Sequence, residues 1–173
     1  REIQIFSKND HPFLLPFIGF TATPPYSILT EYMQGGSLKA AIDSEFANTP
    51  LEHWDNTRKQ IIFIGMAAGL KALHDNNIIH RDFKPENVLL DGSLNPHIID
   101  FGLSKILDPD STVSMSMHGG TPQYMAPELI DDSDFTYPVD IFAFGVSVYE
   151  LICGKPAYEK NTAVGKILKN ITT

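Results

Sequence analysis

Apolar residues along this chain change their spacing several times, and the changes divide it into elements. In REIQIFSK, residues 1–8, Ile3 and Phe6 fall at a helical interval with Ile5 one step off, and NDHP ends the pattern. A short helix is predicted there. FIGF at 17–20 and YSILTEYM at 26–33 are rich in β-branched and aromatic residues and flank TATPP. That arrangement predicts two strands joined by a proline-containing loop, with QGGSL breaking the second strand. From Thr57 to His74, TRKQIIFIGMAAGLKALH is apolar around most of its circumference after the first turn, which predicts a buried helix stopped by DNN. PVDIFAFGVSVYELICGKP is likewise apolar on nearly all sides and closes with Gly154 and Pro156, a second buried helix with a clear stop. YEKNTAVGKILKNITT opens a further helical pattern, so helices dominate after Gly36.

Composition narrows the class. A length of 173 residues suits one domain, and 43% hydrophobic content is too high for a disordered chain. No apolar run approaches the roughly 18 residues of a membrane span, so a protein without a span is expected. Thirteen basic and 21 acidic side chains give a net charge of -8, which disfavours binding to nucleic-acid phosphates. Cys153 stands alone, which excludes an internal disulfide and fits a reducing, cytoplasmic setting. The six histidines show no metal-ligand spacing with a cysteine, and the NIT triplet at Asn170 is too short to carry weight. Oligomeric state is not written in these numbers.

Two stretches carry chemistry. In HRDFKPENVLL, Asp82, Lys84 and Asn87 fall within six residues ahead of a β-prone run. Pro85 argues against a smooth helix, so this reads as a loop presenting polar side chains from a rigid base. Asp82 can accept a hydroxyl proton, Lys84 can neutralise a phosphate, and Asn87 can offer an amide oxygen to Mg²⁺. In PHIIDFGLSK, a β-prone run ends in Asp100 beside Gly102, placing a carboxylate where a hard cation binds. Such a set suits phosphoryl transfer, which runs on positioning and charge stabilisation. Asp-Phe-Gly or His-Arg-Asp alone is a common tripeptide; both in order, with APE at 126–128 and the DIFAFG helix, are not.

That series resembles the eukaryotic protein kinases over essentially the whole chain. The resemblance implies an α+β, two-lobed fold, with residues 1–34 as an N-lobe remnant and hinge and 35–173 as a helical C-lobe, shortened at its far end. Asp82 becomes the catalytic base, Lys84 the contact to the transferred phosphate, and Asn87 with Asp100 the Mg²⁺ ligands. Lys84 two residues after Asp82 resembles the serine/threonine branch, with the tyrosine-kinase-like group also open, and Thr121 in GGTPQYMAPE resembles the threonine that braces both. TEYMQGGSL resembles the hinge: Thr30 as gatekeeper, the backbone of Glu31 and Met33 facing adenine, Ser37 near the ribose, with Leu89 beneath the purine and Glu86 completing the nucleotide set. Asp140 resembles the buried carboxylate that anchors the HRD backbone, and Glu2 the helix glutamate that pairs with the ATP-binding lysine. ATP, Mg²⁺ and a protein serine or threonine are the implied reactants.

The chain departs from the family pattern in three places. No GxGxxG or VAIK occurs, so the roof of the nucleotide site and the partner of Glu2 are expected to be missing. The family partner of Glu128 would lie beyond Thr173. With about 3 kcal/mol lost per missing donor, the chain alone is expected to turn over on the order of 10⁻³ per second or slower. Arg81 implies a pocket for an activation-segment phosphate, yet the usual phosphosite position is Met117, with Ser116, Ser114, Thr112 and Ser111 as nearby substitutes. Two other functions stand beside the kinase. A pseudokinase-like interaction module fits the missing front end but not an intact Asp82, Asn87 and Asp100. A small-molecule phosphotransferase fits the loop but not GTPQYMAPE, which favours protein substrates. Glu150 reads equally as a contact to a basic substrate residue and as a buried structural group.

Overall fold

The computed structural model of the chain describes residues 9–106, 120–130, 136–158 and 162–172. The predicted helix at 1–8 with Glu2, the four candidate phosphosites and Met117 lie outside them. The architecture is α+β, with small antiparallel sheets and helices from Leu38 onward.

Strands β1 (Phe17–Phe20) and β2 (Ile28–Thr30) pair as a hairpin. Thr21 closes the proline loop between them, its hydroxyl donating to the Pro25 carbonyl at 2.9 Å and accepting from the Ser27 N–H at 2.8 Å. β2 ends at Thr30, earlier than its apolar run predicts, because the chain leaves this sheet for the next. The Glu31 N–H bonds the Pro16 carbonyl at 3.1 Å, the Met33 side chain turns inward, and the Gly35 N–H bonds the Leu90 carbonyl at 2.8 Å. Only glycine passes there: a Cβ on Gly35 would lie 2.8 Å from the Asp91 carbonyl oxygen and from Leu90 Cβ.

The second sheet has the order β3 (Gly36–Ser37), β5 (Val88–Leu90), β6 (Pro96–Ile98). Asp91 shapes the β5–β6 turn by accepting from the backbone N–H groups of Ser93 and Asn95, each at 2.8 Å. Helix α1 (Leu38–Phe46) starts where Ser37 Oγ accepts from the Ala40 N–H, and α2 (Asn56–Asp75) where Asp55 accepts from the Arg58 N–H. Ile62, Met66, Leu70 and Leu73 of α2 face the core with Leu38, Ile42, Phe83, Ile98 and Phe101, all essentially buried. Each such side chain stabilises by about 1.5–3 kcal/mol relative to exposure. The other face of α2 stays open at Phe63 and Ile64. Apolar residues around a helix permit burial on every side, but burial follows only where another element packs.

Strand β4 (Ile78–Ile79) pairs with β7 (Lys105–Ile106), and the short α3 (Pro127–Ile130) precedes α4 (Pro138–Cys153) and α5 (Val164–Thr172). Helix α4 departs from the all-apolar expectation, burying polar residues beside Val139, Ala143 and Leu151. Its inner face carries Asp140, Ser147 and Glu150, all buried, whereas Ile141, Tyr149 and Ile152 are exposed. Buried polar groups persist only with partners, and each has them. Ser147 donates to the Ala143 carbonyl at 2.8 Å, while Glu150 accepts from the Tyr124 hydroxyl at 3.1 Å and from the Ala157 N–H at 2.9 Å. Desolvation dominates at Glu150 and holds its pKa above the ordinary 4.5, against the opposing hydrogen bonds from Ala157 and Tyr124.

Gly154 ends α4 in the left-handed conformation, φ 62°, with its N–H on the Glu150 carbonyl at 2.9 Å. A Cβ there would meet Glu45 at 3.0 Å, and Glu45 is itself fixed by Lys59 at 2.6 Å and the Trp54 indole at 2.9 Å. Gly154→Ala is therefore expected to cost about 1–2 kcal/mol, read as a lower urea midpoint at constant slope. Glu150 gives a pH test. Because its folded pKa is raised, the folded chain binds more protons than the unfolded chain above pH 4.5. Stability from this group is complete below that pH and declines as pH rises through the folded value. Glu150→Gln removes the titration, so its stability relative to wild type should improve as pH rises from 4 toward 7; a pH-independent difference would contradict the burial effect.

Candidate active site

The segment from His80 to Asn87 is held from below by one carboxylate. Asp140, in the first turn of α4 and 1% exposed, accepts from the His80 N–H at 2.8 Å through Oδ2 and from the Arg81 N–H at 2.9 Å through Oδ1. The helix N-terminus adds favourable potential for that charge. Arg81 sits at φ 71°, a left-handed conformation that costs about 1–2 kcal/mol for a side chain with a Cβ. Two hydrogen bonds to a charged acceptor, each about 1.5–3 kcal/mol, outweigh that cost.

His80 ties this backbone to the Asp100 segment. Its fully buried ring bonds the Ile99 carbonyl through Nε2 at 2.9 Å and lies 3.3 Å from the Asp82 N–H through Nδ1. Facing a carbonyl on one side and an N–H on the other, the ring acts as donor at Nε2 and acceptor at Nδ1. Phe83 and Phe101 meet it edgewise, with centroids 5.9 and 5.8 Å away.

Asp82, Lys84, Asn87 and Thr121 converge on one hydrogen-bonded ring. Thr121 donates to Asp82 Oδ1 at 2.9 Å and accepts from Lys84 Nζ at 2.7 Å, while Nζ also reaches Asp82 Oδ2 at 2.5 Å. Asn87 Nδ2 donates to the Asp82 carbonyl at 2.8 Å and to Oδ2 at 3.1 Å. That commits the nitrogen end of the amide and leaves Oδ1 as its acceptor for another partner. The loop reading of this stretch needs one correction: Pro85–Asn87 is a turn of 3₁₀ helix. Proline obstructs a helix interior but suits its first position, where no backbone N–H is required.

Asn87 and Asp100 are brought together by the β5–β6 ladder. Val88 pairs with Ile98, and just beyond them the Ile99 N–H bonds the Asn87 carbonyl at 2.9 Å. Asp100 follows at φ 62°, exposed, with Oδ1 accepting from the Gly102 N–H at 3.2 Å. Across the β3–β5 ladder Ser37 pairs with Leu89, so two candidate nucleotide contacts are neighbours despite their separation in sequence. The Ser37 hydroxyl caps α1, which leaves its proton to donate elsewhere. Glu31 and Met33 lie on the crossing between the sheets, Thr30 is partly buried, and Glu86 is exposed on the 3₁₀ turn. Glu150 is spent on Tyr124 and Ala157, its structural reading. His74 was missed: its Nε2 bonds Asp140 Oδ2 at 2.8 Å.

Among the described residues, no helix is long and apolar enough to cross a membrane, and no group of three or more histidine, cysteine and carboxylate side chains forms a metal cluster. The protein kinase domain model matches residues 1–173. Similar proteins include a probable serine/threonine-protein kinase of Dictyostelium discoideum, 37% identical over 91% of this chain and 17% of its own length. Two from Arabidopsis thaliana are the LRR receptor-like serine/threonine-protein kinase FEI 2, 36% identical over 90% of this chain, and the serine/threonine-protein kinase STY46, 33% identical over 99%. The chain spans 26% and 29% of those two, so it corresponds to under a third of each relative. With this match along its whole length, the chain belongs to the protein kinase domain family.

Proposed function

We propose that this chain carries the phosphoryl-transfer and substrate-side part of a serine/threonine protein kinase, acting from ATP onto a protein hydroxyl. The observation that supports it most is the ring of Asp82, Lys84 and Thr121, closed at 2.5, 2.7 and 2.9 Å. In this reading residues 1–34 supply the hinge and N-lobe portion and 35–173 the C-lobe. The single exposed Cys153 supports a reducing, cytoplasmic setting.

Asp82 takes the proton of the attacking serine or threonine hydroxyl, and Thr121 on Oδ1 with Lys84 on Oδ2 fixes the orientation of its carboxylate. Lys84, already beside Asp82, balances charge on the transferred phosphoryl group. The backbone of Glu31 and Met33 receives adenine, with Ser37 and Leu89 at the ribose and purine and Glu86 beside them. The donor set suits Mg²⁺: the Asn87 amide has its oxygen left over, Asp100 is an exposed carboxylate, and a magnesium site completed by phosphate and water needs few protein ligands. Asn87 and Asp100 would hold that ion, which when bound offsets phosphate charge.

The test is transfer of labelled phosphate from ATP to a serine- and threonine-rich protein, using the protein at its full natural length. Asp82→Asn should lower kcat by about 10²–10⁴-fold while Mg²⁺-dependent ATP binding persists, and Asp100→Asn should abolish that binding. An Asp82→Asn variant with the wild-type rate would exclude Asp82 as the base, and no transfer by the wild-type protein itself would favour a non-catalytic interaction module.

A further inference from the structure

Arg58 makes a hydrogen bond that the proposed mechanism leaves unexplained. From the first turn of α2, its partly buried guanidinium donates to Asn95 Oδ1 at 3.2 Å, 37 residues away in the β5–β6 turn. The other end of that amide is committed as well, Nδ2 donating to Asp91 Oδ2 at 2.9 Å. The backbones of Asp91 and Asn95 join the same lock: the Asp91 N–H bonds the Asn95 carbonyl at 3.0 Å, and the Asn95 N–H bonds Asp91 Oδ1 at 2.8 Å. Burial opposes the Asp91 charge, yet hydrogen bonds from Asn95 and Ser93 hold its carboxyl below the ordinary 3.8, so it accepts as a carboxylate. Between the two, Leu94 sits at φ 60°, a strained conformation for a residue with a Cβ, which these bonds hold in place. The far side of the turn meets the chain that leaves β2. Leu90, beside Asp91, accepts from the Gly35 N–H at 2.8 Å and pairs with Gly36, and a Cβ on Gly92 would lie 2.6 Å from Gln34 Oε1. One residue further in, Ser37 pairs with Leu89. A single turn therefore stands between the start of α2 and the two residues proposed to receive ribose and purine.

We propose that Arg58 is a positioning residue for the nucleotide: by donating to Asn95 it ties the β5–β6 turn to α2 and so fixes where β5 and β3 present Leu89 and Ser37. This inference rests on those two residues contacting ATP. Every link is an observed contact. Arg58 fixes Asn95, Asn95 and Asp91 fix each other, and the neighbouring residue Leu90 holds Gly35 and Gly36. Asp82 lies beyond the opposite end of β5 and takes its orientation from Thr121, Lys84 and the backbone held by Asp140. Loss of the Arg58 donor should therefore weaken ATP binding without slowing transfer at saturating ATP, whereas a general loosening of the fold would move both.

Arg58→Met keeps an unbranched apolar stem and removes the donor. In the full-length protein it should raise the Kd for ATP about three- to tenfold, read by calorimetry, with kcat at saturating ATP and KM for the protein substrate unchanged. Asn95→Ala should weaken ATP at least as much, and adding Arg58→Met to it should change nothing further, because the link is already broken. If Arg58→Met does not fold, Arg58→Gln, whose shorter side chain withdraws the donor, takes its place with the same expectation. Wild-type affinity in the donorless variant would overturn the proposal, as would a fall in kcat as large as the loss of affinity, or a further loss when the two changes are combined. Leu89→Ala measured alongside separates the two assignments. If it weakens ATP binding while Arg58→Met does not, only the role of Arg58 fails; if it leaves ATP affinity intact, Leu89 is not a purine contact and the proposal falls with that reading.

Discussion

Asp140 accepts from two consecutive backbone N–H groups, at His80 and Arg81, from within a site that excludes water. An isolated carboxylate in such a place is strongly disfavoured, and an isolated arginine at φ 71° is strained. Together they are stable, because each supplies what the other lacks. The rest of the site follows from that exchange. Arg81 turns the chain so that Asp82 meets Thr121 and Lys84, Pro85–Asn87 winds back toward Asp82, and β5 then leaves in register with β6 to bring Asn87 beside the Asp100 segment.

The same logic explains why α4 buries polar residues while showing isoleucines outside. Asp140 and Glu150 bond to segments outside the helix and fix its rotation and height, while the Ser147 bond stays within the helix. Glu150 extends this fixation to Tyr124, which lies three residues after Thr121, so the two ends of α4 hold the His80–Asn87 loop and the segment facing it. Burial keeps the Tyr124 hydroxyl protonated, its pKa raised further by the Glu150 charge, so it serves as a donor. The geometry of the Asp82 ring thus depends on one helix being held at both ends.

Much of this was legible in the sequence. The two buried helices, the β1–β2 hairpin and the β-prone runs NVLL and PHII ahead of DFG rest on periodicity and turn residues, which are local. Asp82, Lys84, Asn87 and Thr121 were named from motif order, and the structure brings them within hydrogen-bonding distance. What escaped depends on pairs distant in the chain. β2 ends at Thr30 because Gly35 must pass the Leu90–Asp91 backbone, which no window around Thr30 contains. Pro85 would break a helix interior, but it stands at a helix start, where its missing N–H costs nothing. The exposure of Phe63, Ile64 and Ile141 shows that apolar character sets what a face can tolerate, and packing partners decide what it meets. His74 escaped because its partner is 66 residues away.

Native-state hydrogen exchange at the His80 and Arg81 amides tests the central claim most directly. If Asp140 holds these two groups as the geometry requires, both should exchange as slowly as buried amides of α2 such as that of Leu70, opening only when α4 itself detaches. Exchange at the rate of the exposed turn at Gly92, with α2 still protected, would contradict the account: the loop would then open independently of Asp140, and the aim of Asp82 would have another cause.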